Sequence, residues 1–369
     1  MIPLSVIDVG DEELRAVKEV LDSGWLTEGV KNREFEERFA EYIGVKKAVA
    51  LNSCTSALFL AVKALNITGE VILPSFTFVA SANAVVTAGA MPVFADVNYE
   101  TCNIDPHDIE KKITKRTQAI MPVHFGGLPA EMEAIVGIAR KHNLRIIEDS
   151  AETIGGEYGG KKTGSYDIGC FSFFPTKSMT TGEGGMLTTG DADLSEKIKT
   201  LAGHGVSKGD HKNKKGEKPW SREAVLAGYN FRMSDILAAI GVEQLKKIEK
   251  MNSLRRQHAG YLTAGLAGLG IDLPVESAGC RHVYQMYTVK TGRERDRVVL
   301  RLREMGVGAS VHFDPPAHLQ PYYMDNFGCR RGDLPATERL ADSILTLPMY
   351  PQMKRPDLDF IISAMKEVL

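Results

Sequence analysis

Short apolar runs alternate with helical patterns over the first two thirds of the chain. Seven runs rich in β-branched and other apolar residues predict buried strands. Between them, apolar residues recur at helical spacing, as in Leu58, Ala61, Val62 and Leu65. This alternation predicts a mainly parallel sheet covered by helices on both faces. The predicted strands are Ala48–Leu51, Glu70–Leu73, Pro92–Ala95, Ala119–Val123, Leu144–Ile147, Cys170–Phe173 and Met186–Thr189.

The pattern changes after residue 250, where helical and β-rich segments become shorter and mixed. We predict a large α/β domain over residues 1–250, whose N-terminal segment can pack on a smaller α+β domain over residues 251–369. The segments predicted in the smaller domain are helices at 254–266, 298–305, 335–345 and 357–369 and β-rich pieces at 284–289 and 309–312.

Composition narrows the classes of protein. The chain has 369 residues and a formal net charge of −2, which argues against nucleic acid as a partner. Its five cysteines are scattered without CxxC spacing, a pattern that favours neither a disulfide framework nor a zinc site. The N-terminus lacks the features of a signal peptide, so we expect a cytoplasmic protein.

Two segments invite other interpretations. Residues 71–95 carry no charge, but Pro74, Asn83, Gly89 and Pro92 interrupt them; they predict strand, helix and strand rather than a membrane span. The lysine-rich segment 208–218 predicts a mobile surface loop, with contact to a substrate phosphate as the alternative.

Lys177 follows a short apolar strand and precedes a glycine-rich turn, in the run Gly169–Gly185. An amine with apolar neighbours is a suitable nucleophile for carbonyls, so Lys177 is a candidate covalent anchor for an aldehyde cofactor. A solvated lysine on a loop is the alternative.

Ligands of open parallel sheets bind beyond the carboxyl ends of the strands. Asn52–Ser56 follows the first strand and opens a helix, where free N–H groups and hydroxyls suit a phosphate or form an ordinary N-cap. Asp149 ends the fifth strand and could pair with a pyridine nitrogen or cap a turn. Phe78, in Pro74–Phe78, could stack on a planar cofactor or pack in the core.

These features, in this chain order, resemble the DegT/DnrJ/EryC1/StrS family of pyridoxal-phosphate-dependent nucleotide-sugar aminotransferases. The resemblance implies the aspartate-aminotransferase fold (PLP fold type I), with a large α/β domain and a smaller C-terminal α+β domain. It extends over nearly the whole chain. The matching motifs are Ser23–Thr27, Arg33–Glu37, Asn52–Leu58, Pro74–Phe78, Pro122–Gly126, Glu148–Asp149, Phe171–Lys177, Thr181–Gly185 and Gly228–Ser234.

The resemblance implies a role for each matched residue. Lys177 would anchor pyridoxal 5'-phosphate and serve as acid and base, while Asp149 would bind its ring nitrogen and Phe78 cover one ring face. Asn230 would reach the phosphate of a partner subunit, which makes the enzyme a homodimer with shared active sites. The residues implied to hold the phosphate are Cys54, Thr55 and Ser172.

The sequence departs from the family pattern at two cofactor positions. Cys54 stands where glycine is frequent, which adds bulk near the phosphate. Glu152 stands where glutamine or histidine is common near the cofactor's 3-hydroxyl, so its charge could alter cofactor tuning or sugar choice. Lys177 is not histidine, which disfavours the related dehydratases that replace this lysine.

Two further residues have predicted substrate roles. The resemblance places His312 near the sugar nucleotide, with a locally hydrogen-bonded loop histidine as the alternative. Trp25 could line the sugar pocket or be a buried anchor for the N-terminal helix. His318 is a weaker candidate.

The expected reaction is transfer of an amino group from glutamate to a keto-sugar linked to a nucleoside diphosphate, which gives an amino sugar for glycan or secondary-metabolite biosynthesis. The matches favour a 4-keto-6-deoxy sugar and resemble the perosamine-type branch, with amination at C3 as an alternative. A non-enzymatic regulator on the same fold is the alternative from another class, but it predicts a missing or blocked lysine. The nucleotide, the sugar and the pathway stay open at this point.

Overall fold

The computed structural model describes residues 1–206 and 222–369. The lysine-rich segment 208–218, with its predicted loop and phosphate contact, lies outside the described residues. Seven strands form a central sheet in the order β1-β9-β8-β5-β4-β2-β3, in which β9 is antiparallel to both neighbours and the others are parallel. These strands are β1 (Lys47–Leu51), β2 (Glu70–Pro74), β3 (Met91–Ala95), β4 (Thr117–Ile120), β5 (Arg145–Asp149), β8 (Ile168–Ser172) and β9 (Gly185–Thr189).

All seven predicted strands are therefore confirmed, with ends that differ by a few residues. Most of their residues are buried on both faces of the sheet, as expected for strands that helices cover. The uncharged stretch 71–95 forms strand, helix and strand as predicted. Among the described residues, no helix is long and apolar enough to cross a membrane.

Two smaller sheets lie outside the central one. A three-stranded antiparallel sheet contains β6 (Glu157–Tyr158), β7 (Lys161–Lys162) and β10 (Cys280–Arg281). An antiparallel pair joins β11 (Tyr287–Lys290) to β12 (Ile344–Leu347). Since β10 pairs with β6, the C-terminal part of the chain contacts the segment just beyond the end of β5.

Twelve α-helices surround these sheets in the part of the chain that the structure describes. The longest, α8, has 32 residues and includes the helix predicted over 254–266. The helices are α1 (Asp11–Ser23), α2 (Val30–Ile43), α3 (Cys54–Ala64), α4 (Ala80–Thr87), α5 (Pro106–Lys112), α6 (Met132–His142), α7 (Ala192–Ala202), α8 (Asp235–Leu266), α9 (Arg295–Glu304), α10 (Pro321–Phe327), α11 (Pro335–Ser343) and α12 (Arg355–Val368).

The proposed domain boundary after residue 250 lies inside α8, so the two parts of the chain share one continuous helix. The N-terminal segment packs on the C-terminal part: Ile2 pairs with Val307 and belongs to the same hydrophobic cluster. Buried apolar residues from α8, α9, α12, β11 and β12 form that cluster.

The helix predicted near 335–345 is confirmed as α11 (Pro335–Ser343), and the next four residues form β12 because they pair with β11. One prediction for the C-terminal part was wrong. The β-rich piece at 309–312 forms a single bridge between Ser310 and Thr346 instead of a strand. The ladder does not extend to Gly308, because its N–H donates to Ile2 O at 2.8 Å instead.

Candidate active site

A cavity of about 460 Å³ opens beyond the carboxyl ends of β2, β5 and β8. This is the edge at which the sequence predicted a ligand. Eight of the ten predicted site residues line it, and they come from five different segments of the chain. These eight are Cys54, Thr55, Phe78, Asp149, Glu152, Ser172, Lys177 and His312.

Lys177 lies on the turn that follows β8. Its backbone N–H donates to Phe174 O at 2.9 Å, which bends the chain back toward the cavity. The ammonium Nζ lies 3.2 Å from Glu152 Oε1, and the Lys177 side chain is 17% exposed. The lysine is thus an amine held at the cavity wall, not a solvated surface group.

Glu152 connects that amine to a neighbouring turn. Its second oxygen, Oε2, accepts a hydrogen bond from the backbone N–H of Gly126 at 2.8 Å. The carboxylate side chain is 8% exposed. A buried carboxylate needs such partners, and here an ammonium and an N–H supply them.

Asp149 ends β5 and points its carboxylate into the cavity region. Oδ2 accepts from Ser81 Oγ at 2.7 Å and Oδ1 from the Ala151 N–H at 3.2 Å. Burial raises the pKa of Asp149, and the nearby charge of Glu152 adds to this rise. A cationic partner in the cavity would stabilise the charged carboxylate.

Ser81 is a site residue that the sequence interpretation missed. It lies in the first turn of α4, three residues after Phe78. Its position one helical turn beyond the Pro74–Phe78 motif could have indicated this role, because a hydroxyl there can contact side chains at the strand ends.

The start of α3 forms a concave surface lined by backbone N–H groups. Ser53 is the N-cap, and its hydroxyl accepts from the Ser56 N–H at 3.1 Å. The N–H groups of Cys54 and Thr55 have no partner within this first turn of the helix. The Thr55 side chain is exposed toward the cavity, so the helix N-terminus and a hydroxyl converge there.

Gly185 allows this surface to form. A Cβ at Gly185 would lie 2.3 Å from the carbonyl carbon of Ser53 and 2.4 Å from the Cys54 nitrogen. The first residue of β9 therefore packs directly against the start of α3. Ser172, at the end of neighbouring β8, adds a second hydroxyl, which accepts from the Phe174 N–H at 3.3 Å.

Phe78 does not pack in the core. Its side chain is 62% exposed, and its ring lies at the cavity with its centroid 6.1 Å from that of Phe313. A large exposed ring beside buried polar groups offers a flat surface for a planar ligand.

His312 lies at the cavity wall and is paired locally. Its Nδ1 lies 2.8 Å from Thr346 Oγ1. Burial lowers the pKa of His312, and the opposing charges of Glu152 and Lys177 act on it in opposite directions. The imidazole is therefore neutral at physiological pH. His318, the weaker candidate, is buried between Ser75 and Glu338 and does not line this cavity.

Two predicted site residues lie apart from the cavity of their own chain. Asn230 is exposed, and its backbone is paired with Gly203. Trp25 is 60% exposed, and its indole N–H donates to Glu28 O at 3.1 Å. Trp25 is thus no buried anchor, and its role in the sugar pocket stays a prediction.

Comparison with known proteins agrees with this geometry. The profile of the DegT/DnrJ/EryC1/StrS aminotransferase family matches residues 8–366. The chain belongs to this family. It is therefore an aminotransferase with the fold that the sequence predicted, and aminotransferases of this family depend on pyridoxal phosphate.

Three relatives cover the whole length of this aminotransferase. SpsC, a spore coat polysaccharide biosynthesis protein of Bacillus subtilis (strain 168), is 41% identical over 378 residues that cover 100% of this chain and 97% of SpsC. The structure of Helicobacter pylori PseC, an aminotransferase involved in the biosynthesis of pseudoaminic acid, matches with a TM-score of 0.92 and 28% identity over 100% of this chain and 98% of PseC. Streptococcus pneumoniae Spr1654 in its PMP form matches with a TM-score of 0.94 and 28% identity, over 100% and 99% of the two chains.

Proposed function

We propose that this aminotransferase uses pyridoxal phosphate to move an amino group from glutamate to a keto-sugar linked to a nucleoside diphosphate. The observation that carries the proposal is the meeting of an amine, a buried acid and a helix N-terminus in one cavity. The names of SpsC and PseC support a product that enters glycan or sugar biosynthesis.

The donor set of the cavity fits this cofactor. Asp149 is a buried acid with its pKa raised, and a protonated ring nitrogen would supply the cation that favours its charged form. Phe78 would cover one face of the ring. The start of α3 at Cys54 and Thr55, together with Ser172, would hold the phosphate. When bound, pyridoxal phosphate supplies an electron sink for the carbanion formed at the donor carbon.

Lys177 would be both anchor and acid–base group. Its Nζ would take a proton from the Cα of glutamate and, in the second half of the reaction, give a proton to the sugar carbon that receives the amine. The carboxylate of Glu152, 3.2 Å away, would keep the freed ammonium beside the reacting carbon. His312 would face the sugar nucleotide as a neutral hydrogen-bonding group.

The active unit would be a homodimer with shared sites. Asn230 is exposed and lies outside the cavity of its own chain. In a dimer, the Asn230 amide of one subunit would reach the phosphate group in the other.

The proposed acceptor is a 4-keto-6-deoxy sugar. The test is an assay of GDP-, UDP- and dTDP-linked keto-sugars with glutamate, in which NMR locates the new amine. Amination at C4 supports the proposal, and amination at C3 would replace it with the alternative position. No turnover of any keto-sugar by cofactor-loaded protein would contradict the proposed substrate class and favour a regulator.

The cofactor is tested separately from the sugar. Purified protein loaded with pyridoxal phosphate should show a visible absorption band that borohydride bleaches, with the label on the Lys177 peptide. A protein that takes up no pyridoxal phosphate would contradict the role of Lys177, whatever the sugar.

A further inference from the structure

Gln285 contacts the backbone that carries Lys177. Its Nε2 donates to the carbonyl oxygen of Thr176, the preceding residue, at 2.9 Å. Gln285 is 7% exposed and lines the cavity. The contact joins positions more than 100 residues apart in sequence, so it is made by the tertiary fold alone.

The segment that carries Gln285 is fixed on a glycine turn. Val283 N donates to Gly127 O at 3.0 Å, and Met286 N donates to Gly126 O at 3.0 Å. Gly127 has a φ of 102°, and a Cβ there would lie 2.9 Å from the Gln285 nitrogen. The turn therefore places the Gln285 backbone by close contact as well as by hydrogen bonds.

The same turn is also connected to the amine of Lys177 through Glu152. Gly126 N donates to one oxygen of Glu152 at 2.8 Å, and the other oxygen pairs with Lys177 Nζ at 3.2 Å. The turn thus reaches Lys177 twice, through Gln285 at its backbone and through Glu152 at its amine. Hydrogen bonds therefore connect both the backbone and the side chain of Lys177 to this turn.

A contribution to the stability of the fold does not explain why residue 285 has an amide side chain. The Thr176 carbonyl fixes which end of the amide donates, and this leaves Gln285 Oε1 buried without a partner among the described residues. An unpaired buried oxygen is unfavourable, whereas an apolar side chain of similar shape would avoid that cost.

We propose that Gln285 is a positioning residue for Lys177. By holding the Thr176 carbonyl, its amide fixes the direction in which the lysine side chain leaves the turn. The amine then stays within reach of both the cofactor aldehyde and the substrate carbon. This inference rests on the proposed role of Lys177 as anchor and acid–base group.

The test uses cofactor-free protein and does not depend on turnover. Pyridoxal phosphate is added, the product at Lys177 is trapped with cyanoborohydride, and the labelled Lys177 peptide is followed by mass spectrometry. Gln285→Met should slow labelling about tenfold, since small displacements of a reacting group have large effects on rate. Its thermal midpoint should stay at or above that of the wild type.

Three variants separate positioning from a general effect. Gln257→Met changes an exposed glutamine elsewhere on the chain and should label at the wild-type rate. Gln285→His retains an N–H donor and should recover most of the rate. Gln285→Glu retains the shape without the donor and should be as slow as Gln285→Met, which keeps the test valid if the methionine variant folds poorly.

Labelling of Gln285→Met and Gln285→Glu at the wild-type rate would overturn the proposal. An equal loss of thermal stability and of labelling in every Gln285 variant would also overturn it, because that pattern indicates a structural role. Wild-type protein that is never labelled at Lys177 would instead refute the proposed function, and the positioning role with it.

Discussion

The Lys177 ammonium and the Glu152 carboxylate form an ion pair of 3.2 Å at the cavity wall. Both side chains are largely shielded from solvent, so the pair is screened less than a surface ion pair. The Lys177 amine has no other hydrogen-bond partner in the described part of the chain. The ion pair with Glu152 is therefore what holds this amine in one place. It also has to open before the amine can react with a carbonyl.

Glu152→Gln should therefore speed the capture of pyridoxal phosphate by cofactor-free protein. The glutamine oxygen can still accept from the Gly126 N–H, while the charge that holds the ammonium is removed. We expect a rise of about twofold to tenfold in the capture rate, on the order of 1 kcal/mol, measured by the growth of the visible band. Slower capture would show that the carboxylate assists the attack of Lys177.

Glu152→Ala is the matched comparison for stability. It leaves the buried N–H of Gly126 without its acceptor, which Glu152→Gln does not. We expect Glu152→Ala to be less stable than Glu152→Gln by about 1–3 kcal/mol. Urea unfolding of the two cofactor-free variants measures this difference, and equal midpoints would mean that water replaces the lost acceptor.

Ionisation of Asp149 should lower the stability of the cofactor-free protein as pH rises. Burial raises its pKa in the folded state, so the folded chain keeps a proton that the unfolded chain releases above about pH 4. The stabilising effect of the protonated form is complete below that pH and is lost as pH rises through the folded pKa. Asp149→Asn cannot ionise and should gain stability relative to the wild type as pH rises above about 4.

Thermal midpoints of the two cofactor-free proteins across that range provide the measurement. A wild-type protein that gains stability over Asp149→Asn with rising pH would contradict the sign. The effect on activity should be the opposite of the effect on stability. With the cofactor present, Asp149→Asn should lose about 100-fold or more in transamination rate, because the charge facing the ring nitrogen is gone.

The fold was largely predictable because each strand is a short apolar run buried on both faces. Strand ends in a parallel sheet meet at one edge, which is why Asp149 and Lys177 could be placed together from their positions alone. The continuity of α8 was missed, although Ile248 and Met251 continue the apolar helical spacing across residue 250 and no proline interrupts it.

Other parts of the site depend on contacts that no sequence pattern marks. Gln285 reaches Thr176 only because a glycine turn places it there. Ser81 orients Asp149 across 68 positions of sequence. Asn230 and Trp25 belong to matched motifs but do not line the cavity of their own chain, because a motif identifies a residue without specifying where the fold places its side chain.

Cys54 should resist alkylation in the folded protein. Burial raises its thiol pKa well above the ordinary value, and the charge of Asp149 adds to the rise. The thiolate is the reactive form, so iodoacetamide at pH 8 should label the less buried Cys280 and Cys329 before Cys54. Peptide mass spectrometry gives the order, and Cys54 should react at the same rate as the others once the chain is unfolded.

Gly185→Ala should disturb the start of α3. The new Cβ would meet backbone atoms of Ser53 and Cys54 at 2.3–2.4 Å, and backbone cannot move aside as a flexible side chain can. We expect a loss of about 1–3 kcal/mol in the free energy of unfolding, together with weaker binding of pyridoxal phosphate. Gly190→Ala is the control, because a Cβ there meets nothing within 4 Å; equal behaviour of the two variants would contradict the close packing.

Asn230 and Lys177 should complement each other between subunits. Lys177→Ala removes the anchor, and Asn230→Asp would place a negative charge beside the phosphate in the other subunit, so each variant alone should be inactive. Mixed after dissociation and reassociation, they should regain about one quarter of the wild-type activity, because random pairing makes half of the dimers hybrid and each hybrid has one intact site.

The position of Asn230 makes this outcome specific. It is exposed and does not line the cavity of its own chain, which is the placement expected of a residue that serves the partner's site. If both residues acted in the same subunit, each chain of a hybrid would carry one defect in its own site and mixing would restore nothing. Sedimentation of the mixture establishes that dimers have formed, and a fully active monomer would contradict the shared site altogether.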